Sequence, residues 1–353
     1  MTEKIDVGVV GATGGVGRRL VQLLQHHPWF RLAEVGASPD SAGRTYAEAV
    51  APDDSVALTR ATRELKLKLT EENWRSPVLL SALPSSIARD VEAELTGRGH
   101  LVVSNASSFR LDPDVPLVIP EVNADHLGLV ERQAERWPGT LVTNPNCSVV
   151  GLALALAPLQ RTFGIRSVLV TTLQSLSGAG RSGLRAKELQ DNVVPHIPGE
   201  EEKLEREPLK ILGRFTGGRI EAADFRVSAQ ANRVPVTEGH MLSVSLKLER
   251  EATPAAVAEA LASFEGMGPG KPLPSAPARP LELMEEADRP QPRLDRKRAR
   301  GMTIAVGRVR RCQVLDIKFS VLVNNLVRGA AGAALLNAEL CHNCGLTARA
   351  GFG

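Results

Sequence analysis

The chain has 353 residues, 43% of them apolar and 24% charged, the make-up of an ordinary globular protein with room for about two domains. A net charge of +3 is too small to argue for nucleic acid or a membrane surface as partner. No uncharged apolar run approaches the roughly 18 residues of a membrane span, the first residues lack a signal peptide's apolar core, and four cysteines do not make a disulfide framework, so a reducing cytoplasm is expected.

Residues 4–10 read as a strand and lead directly into Gly11-Ala12-Thr13-Gly14-Gly15-Val16-Gly17, after which residues 18–25 have helical apolar spacing. Strand, glycine-rich turn and helix are the context of a dinucleotide-binding loop. Glycines let the backbone approach the pyrophosphate, and the helix N-terminus faces its charge. The spacing is G-x-x-G-x-x-G rather than G-x-G-x-x-G, and glycines also mark tight turns; the position between strand and helix favours the binding reading. Residues 32–37 predict a second strand. It ends in Ser38-Pro39-Asp40-Ser41-Ala42-Gly43-Arg44, where such folds read the adenosine ribose. Asp40 suits a free 2′-hydroxyl, whereas Ser38, Ser41 and Arg44 suit a 2′-phosphate, so NADP and NAD both stay open. Residues 78–83 and 101–103 predict buried parallel strands, and repeated strand–helix units predict a doubly wound parallel sheet. Arg110 lies beyond the carboxyl end of the second of these strands, where doubly wound sheets bind ligands. An anion-binding role and a solvated charge are both open for it.

The apolar run 141–143 precedes Asn144-Pro145-Asn146-Cys147-Ser148, and residues 149–156 read as a buried helix. Cys147 is therefore expected on that helix's first turn. Free N–H groups and the helix dipole there favour a thiolate and lower the thiol pKa, which readies a nucleophile. The bland alternative is a small buried hydrophobe. Residues 166–174 predict a long strand ending at Gln174, followed by Ser177-Gly178-Ala179-Gly180. Residues 225–230, 242–248, 303–309 and 314–323 add strands. Their length predicts an antiparallel α+β second domain with one helix-covered face. Residues 266–300 are proline-rich and predict an irregular surface arm, closed by a basic run at 296–300 that reads as a solvated face. A last helix starts near Arg328. Cys341 and Cys344 lack a second ligand pair and Gly345 suits a helix C-cap, so no metal is expected. Glu200-Glu201-Glu202-Lys203 follows a Pro-Gly turn, and His240 follows another. A Cys, a His and a cofactor loop in one chain argue jointly for covalent catalysis with hydride transfer.

Taken together, these segments resemble the aspartate-semialdehyde dehydrogenase family, archaeal and fungal type. The matching stretches are GATGGVG at 11–17, SAGRTYAEAV at 41–50, DPDVPLVIPEVN at 112–123, NPNCS at 144–148 and SGAG at 177–180. They continue with DNVVPHIPGEEEK at 191–203, RVPVTEGH at 233–240, DRPQPRLDR at 288–296 and LVRGAAGAALLNAEL at 326–340. NPNCS with RVPVTEGH is the specific part; the glycine loop alone is not.

The resemblance implies a Rossmann-type doubly wound parallel sheet over residues 1–146, completed by the C-terminal helix 325–353. It implies an α+β catalytic and dimerisation domain over 147–324. Cys147 would be the nucleophile that forms a thioester, His240 the general acid/base, and Gln174 the group that orients the acyl intermediate. Arg110 and Lys203 would hold phosphate, Arg233 the substrate α-carboxylate and Glu200 its ammonium. Cofactor contacts are implied at Gly11, Thr13, Gly14, Gly15, Val16, Ser38, Ser41, Ser81, Gly178 and Asn325, the last at the nicotinamide carboxamide. The implied reaction is NADP-dependent reductive dephosphorylation of L-aspartyl 4-phosphate to L-aspartate 4-semialdehyde, in lysine, threonine and methionine biosynthesis. A homodimer or dimer of dimers is implied as well. The family usually carries a basic residue in the loop where Asp40 stands, so NAD stays open beside NADP; Ser107-Ser108-Phe109 also departs from the archaeal pattern. N-acetylglutamyl-phosphate reductase shares the architecture but has a different cysteine motif. Archaeal malonyl-CoA reductases share much of the motif set and are the alternative. A relative without catalysis is opposed by Cys147, Gln174 and His240 occurring together.

Overall fold

The computed structural model describes residues 3–50, 58–179, 189–266 and 272–348; Gly180 of the SGAG stretch lies outside them. The first half forms β1 (Ile5–Val10), α1 (Gly15–Leu24), β2 (Phe30–Ala37), β3 (Leu67–Leu69), β4 (Val78–Ser81), α2 (Ser85–Gly97), β5 (Leu101–Ser104) and β6 (Thr140–Thr143). The strands make one parallel sheet in the order β3-β2-β1-β4-β5-β6. Short unbroken apolar runs such as Val78-Leu79-Leu80 suit strands buried on both faces. α1 packs through Gly17, Leu20, Val21 and Leu24, the three-and-four spacing of a single helical face. The strand order reverses between β1 and β4, which places the ligand crevice outside their carboxyl ends.

The second half contains α3 (Cys147–Phe163), β7 (Ile165–Gln174), α4 (Glu200–Ile211), the hairpin β8 (Arg214–Thr216) and β9 (Arg219–Glu221), β10 (Arg226–Arg233) and β11 (His240–Leu248). It continues with α5 (Pro254–Ala262), β12 (Leu281–Met284), β13 (Ile304–Arg311), β14 (Ile317–Val323) and α6 (Gly332–Asn343). The second sheet runs β10-β7-β11-β14-β13-β12. It is mixed rather than antiparallel: β10 pairs with β7 and β12 with β13 in parallel. One face buries Val170, Val244 and Val321 against α3, α4 and α5. The opposite face leaves Leu169 and Leu173 exposed, at 48% and 37%.

Two expectations change. The proline-rich arm is not wholly irregular, because Leu281–Met284 adds an edge strand with Leu281 and Met284 buried. Four residues are too few to show a period among prolines. The basic run is not simply solvated either: Arg298 pairs with Glu282 and Asp295, and Arg296 reaches the Glu238 carbonyl. The last helix behaves as expected at its end, with Gly345 at φ +77° beyond its cap. It begins with a π-turn over Val327–Ala331. α6 is buried almost throughout and returns to the core of the first sheet. Cys341 is buried and Cys344 exposed. Among the described residues no group of His, Cys, Asp or Glu could hold a metal ion, and no helix is long and apolar enough to cross a membrane.

Candidate active site

Cys147 is the first residue of α3. Asn146 caps the helix, its Oδ1 accepting from the N–H groups of Ser148 at 2.9 Å and Val149 at 3.3 Å. The turn is anchored to the first sheet: Asn144 N–H donates to the Ser104 carbonyl at 2.8 Å, and Asn144 Nδ2 to Asn105 Oδ1 at 2.9 Å. Gly329 of the π-turn presses on it from the other side. A β-carbon there would stand 2.7 Å from Cys147 Cβ, so no side chain fits.

One edge of the second sheet faces this turn. Gln174 ends β7 in register with Arg233 at the end of β10, and His240 opens β11. Glu200, at the start of α4, ties them together. It accepts from Asn146 Nδ2 at 2.9 Å, Gln174 Nε2 at 3.0 Å and Lys203 Nζ at 2.8 Å. Burial works against its charge, but Lys203 and these donors prevail and hold the carboxyl below the usual range, so it is ionised.

The thiol does not match the sequence expectation. Cys147 keeps partial exposure, yet enclosure of its sulfur is the leading influence. Burial first and the Glu200 carboxylate second push the thiol up to about 12, against the opposing pull of Arg110, Lys203 and Arg233. The helix terminus favours the thiolate, but the low-polarity surroundings and the nearby carboxylate dominate. His240 is fully buried. Burial, then Arg233, pushes its imidazole down to about 3. Its Nδ1 accepts from Ser175 N–H at 3.0 Å, so the neutral ring carries its proton on Nε2. That nitrogen is buried without a hydrogen-bond partner among the described residues. A β-carbon on Gly178 would lie 2.9 Å from it and 3.0 Å from Arg233 NH1.

Arg110 donates from NH1 to Glu207 Oε1 at 2.9 Å and from NH2 to the Asn105 carbonyl at 2.7 Å. Arg233 NH1 donates to the Ser175 carbonyl at 2.8 Å. Asn325 faces the same edge: its Oδ1 accepts from Gly239 N–H at 2.9 Å and its Nδ2 donates to Ser177 Oγ at 2.9 Å.

The glycine loop sits at the carboxyl end of β1 and divides into two kinds of glycine. Gly11, at φ +83°, would place a β-carbon 2.8 Å from the Ala82 carbonyl, and Gly17 one 2.1 Å from the Gly11 carbonyl; both serve close packing. At Gly15 a β-carbon would meet nothing within 4 Å, and at Gly14 nothing nearer than 3.6 Å. These two present open backbone, as a pyrophosphate requires. Thr13 and Val16 flank them half-buried. The Ser38–Ser41 turn closes through Ser41 N–H on the Ser38 carbonyl at 2.9 Å, with Asp40 exposed. It neighbours the loop, because Gly11 and Ala12 both donate to the Gly36 carbonyl. Ser81 ends β4, but its hydroxyl turns beneath the sheet to Glu92 Oε1 at 2.6 Å; only its backbone lies at the crevice.

Comparison with known proteins agrees with this fold. Residues 6–130 match the semialdehyde dehydrogenase NAD binding domain, and residues 156–328 the semialdehyde dehydrogenase dimerisation domain. The chain is 46% identical to the aspartate-semialdehyde dehydrogenase of Archaeoglobus fulgidus over 96% of its own length and 98% of that protein's. It is 43% identical to that of Methanothermobacter thermautotrophicus over 95% and 98%. The crystal structure of aspartate semialdehyde dehydrogenase with NADP from Candida albicans superposes with a TM-score of 0.89, at 36% identity, over 98% of this chain and 100% of that one.

The chain belongs to the aspartate-semialdehyde dehydrogenase family.

Three residues of the site escape a reading of the sequence. Ser175 sets the tautomer of His240 through its backbone N–H, which leaves no trace in residue type. Gly329 hides in a run of small residues that serves helix packing equally well. Glu207 stands seven residues after Glu200 on one helix, and that spacing is the signal for it.

Proposed function

We propose that this chain is an NADP-dependent phosphorylating dehydrogenase that reduces L-aspartyl 4-phosphate to L-aspartate 4-semialdehyde. The observation that carries the reading is a capped, cation-flanked Cys147 facing an ionised Glu200. Cys147 sulfur attacks the acyl carbon, the C–O bond to phosphate breaks, the thiol proton leaves with the phosphate oxygen, and a thioester forms. Arg110 and Lys203 receive the phosphate charge, while Arg233 binds the α-carboxylate and Glu200 the α-ammonium. Gln174, tied to Glu200, orients the acyl group. NADPH, when bound, would supply the hydride that reduces the thioester. His240 lends its Nε2 proton to the oxygen that gains charge and takes it back as the thiohemiacetal collapses, which releases the aldehyde and leaves the Cys147 sulfur to regain its proton from solvent.

For the cofactor, Gly14 and Gly15 offer the close backbone approach, with Gly11, Thr13 and Val16 shaping the loop and Ser38 and Ser41 at the adenosine end. Gly178 and Asn325 line the nicotinamide end, and Ser81 contributes backbone only. The fungal relative solved with NADP supports that choice of cofactor. Residues 1–146 with 325–353 form the cofactor domain and 147–324 the catalytic domain, a division supported by the return of α6 to the first sheet. A cytoplasmic homodimer is the working form, joined through the sheet face that exposes Leu169 and Leu173; the match to a dimerisation domain supports this.

The test is an assay of purified protein with aspartate semialdehyde, phosphate and NADP, beside one with malonyl-CoA and NADPH. Malonyl-CoA has no ammonium to meet Glu200, and a site built around a polar partner rejects a substrate lacking it. Phosphate-dependent oxidation of the semialdehyde is expected, abolished in Cys147→Ser; a higher kcat/KM with malonyl-CoA overturns the reading.

A further inference from the structure

On α4 the residues Glu200, Lys203, Glu207 and Lys210 follow at steps of three, four and three, so they share one face of the helix. The first two enter the site already described. The other two continue the stripe inward. We infer that Glu207 is a positioning residue that ties Arg110 to the Cys147 turn, holding the phosphate subsite and the nucleophile as one unit. This rests on the phosphate role proposed for Arg110.

Glu207 is 1% exposed, a burial that a carboxylate tolerates only when both oxygens are met by strong donors. Its two oxygens go to two different elements. Oε1 accepts from Arg110 NH1 at 2.9 Å, in the segment after β5. Oε2 accepts from Asn146 N–H at 2.7 Å, in the turn after β6, one residue before Cys147. One helical turn on, Lys210 Nζ donates to the carbonyls of Arg110, Asp112 and Val115 at 2.8, 2.7 and 2.7 Å and fixes the backbone that carries the guanidinium. With NH1 on Glu207 and NH2 on the Asn105 carbonyl, Arg110 keeps Nε buried and without a protein partner among the described residues. Of the five guanidinium N–H groups, those not given to Glu207 and Asn105 remain for an oxyanion, and the two groups that clamp the fork set their direction.

Glutamine at 207 cannot reproduce this. Both partners are donors, and an amide offers one acceptor oxygen and one donor nitrogen, so one of the two bonds is lost. The experiment is a double-mutant cycle of Arg110→Gln and Glu207→Gln, reading KM for phosphate and KM for the semialdehyde separately in the oxidative assay, with melting temperature alongside. Glu207→Gln is expected to raise phosphate KM by about 10- to 100-fold, the size of a lost charged hydrogen bond, and to change semialdehyde KM less than about twofold. The double variant is expected to be no worse than Arg110→Gln alone. An unchanged phosphate KM in Glu207→Gln, additive effects in the double variant, or a fall in melting temperature without a KM split overturns the inference. Arg110→Gln with unchanged phosphate KM overturns the reading of Arg110 and the inference with it. Should Glu207→Gln fail to fold, Glu207→Asp takes its place in the cycle. It keeps the charge, withdraws the carboxylate by one methylene, and is expected to shift phosphate KM in the same direction by a smaller factor.

Discussion

Glu200 illustrates how one side chain serves opposing ends. Its carboxylate organises Asn146, Gln174 and Lys203, and the same charge raises the thiol it faces. Glu200→Gln should therefore speed alkylation of Cys147 by iodoacetamide at pH 8, because removing the carboxylate leaves Arg110, Lys203 and Arg233 to favour the thiolate. The same variant should raise the semialdehyde KM through loss of the ammonium partner. Alkylation that is unchanged or slower would place the carboxylate outside the thiol's electrostatic reach. In the Ser38–Ser41 turn, Asp40→Arg is expected to raise the kcat/KM ratio of NADP over NAD through a new phosphate contact; an unchanged ratio would put residue 40 beyond the ribose.

At the scale of elements, the glycines make the sharpest contrast. Gly329 belongs to a π-turn whose backbone touches the first residue of α3, and a methyl there meets Cys147 Cα and Cβ at 2.9 and 2.7 Å. That backbone and Cys147 cannot both stay in place. Gly329→Ala should lower kcat by about 100-fold, the usual result of moving a reacting group by about 1 Å, and lower stability by about 1–3 kcal/mol through overpacking. Gly15→Ala faces open space. It should leave stability within about 0.5 kcal/mol and instead raise cofactor KM. Thermal melts and steady-state kinetics of the two variants check both; equal losses of stability would show that the loop glycine is structural too.

At the scale of the whole molecule, the site lies where the carboxyl edge of one sheet meets an edge of the other, and its buried histidine ties stability to acid. The imidazole of His240 lies at about 3 when folded and near 6.5 when unfolded. Between those values the unfolded chain binds the extra proton. Stability from the neutral ring is complete above about pH 6.5 and is lost as pH falls towards 3. At pH 5 the loss is roughly 2 kcal/mol by linkage. His240→Asn should show a smaller drop in melting temperature between pH 7 and pH 5 than the parent; an equal drop would assign the acid sensitivity to other groups. The exposed Leu169 and Leu173 belong to the same scale. Leu169→Lys is expected to shift the protein towards monomer in sedimentation, and a variant that stays fully dimeric would move the interface elsewhere.

The sequence alone determined much of this. Strand, glycine turn and helix at the start, the Cys147 helix, Gln174 at a strand end and the C-cap at Gly345 were all legible, because each depends on neighbours within a few residues. Apolar period, turn chemistry and capping are local quantities. What it left undecided are properties of encounters between distant segments. The parallel pairing of β10 with β7 joins segments about sixty residues apart. The direction of the thiol's shift depends on enclosure and on a carboxylate 53 residues away in the chain. The tautomer of His240 is set by a backbone N–H 65 residues away, and Glu207 joins Arg110 to Asn146 across 97 and 61 residues. Burial and charge proximity arise only once the two sheets meet. A local pattern can place a nucleophile on a helix start, but the state of its proton belongs to the assembled interior.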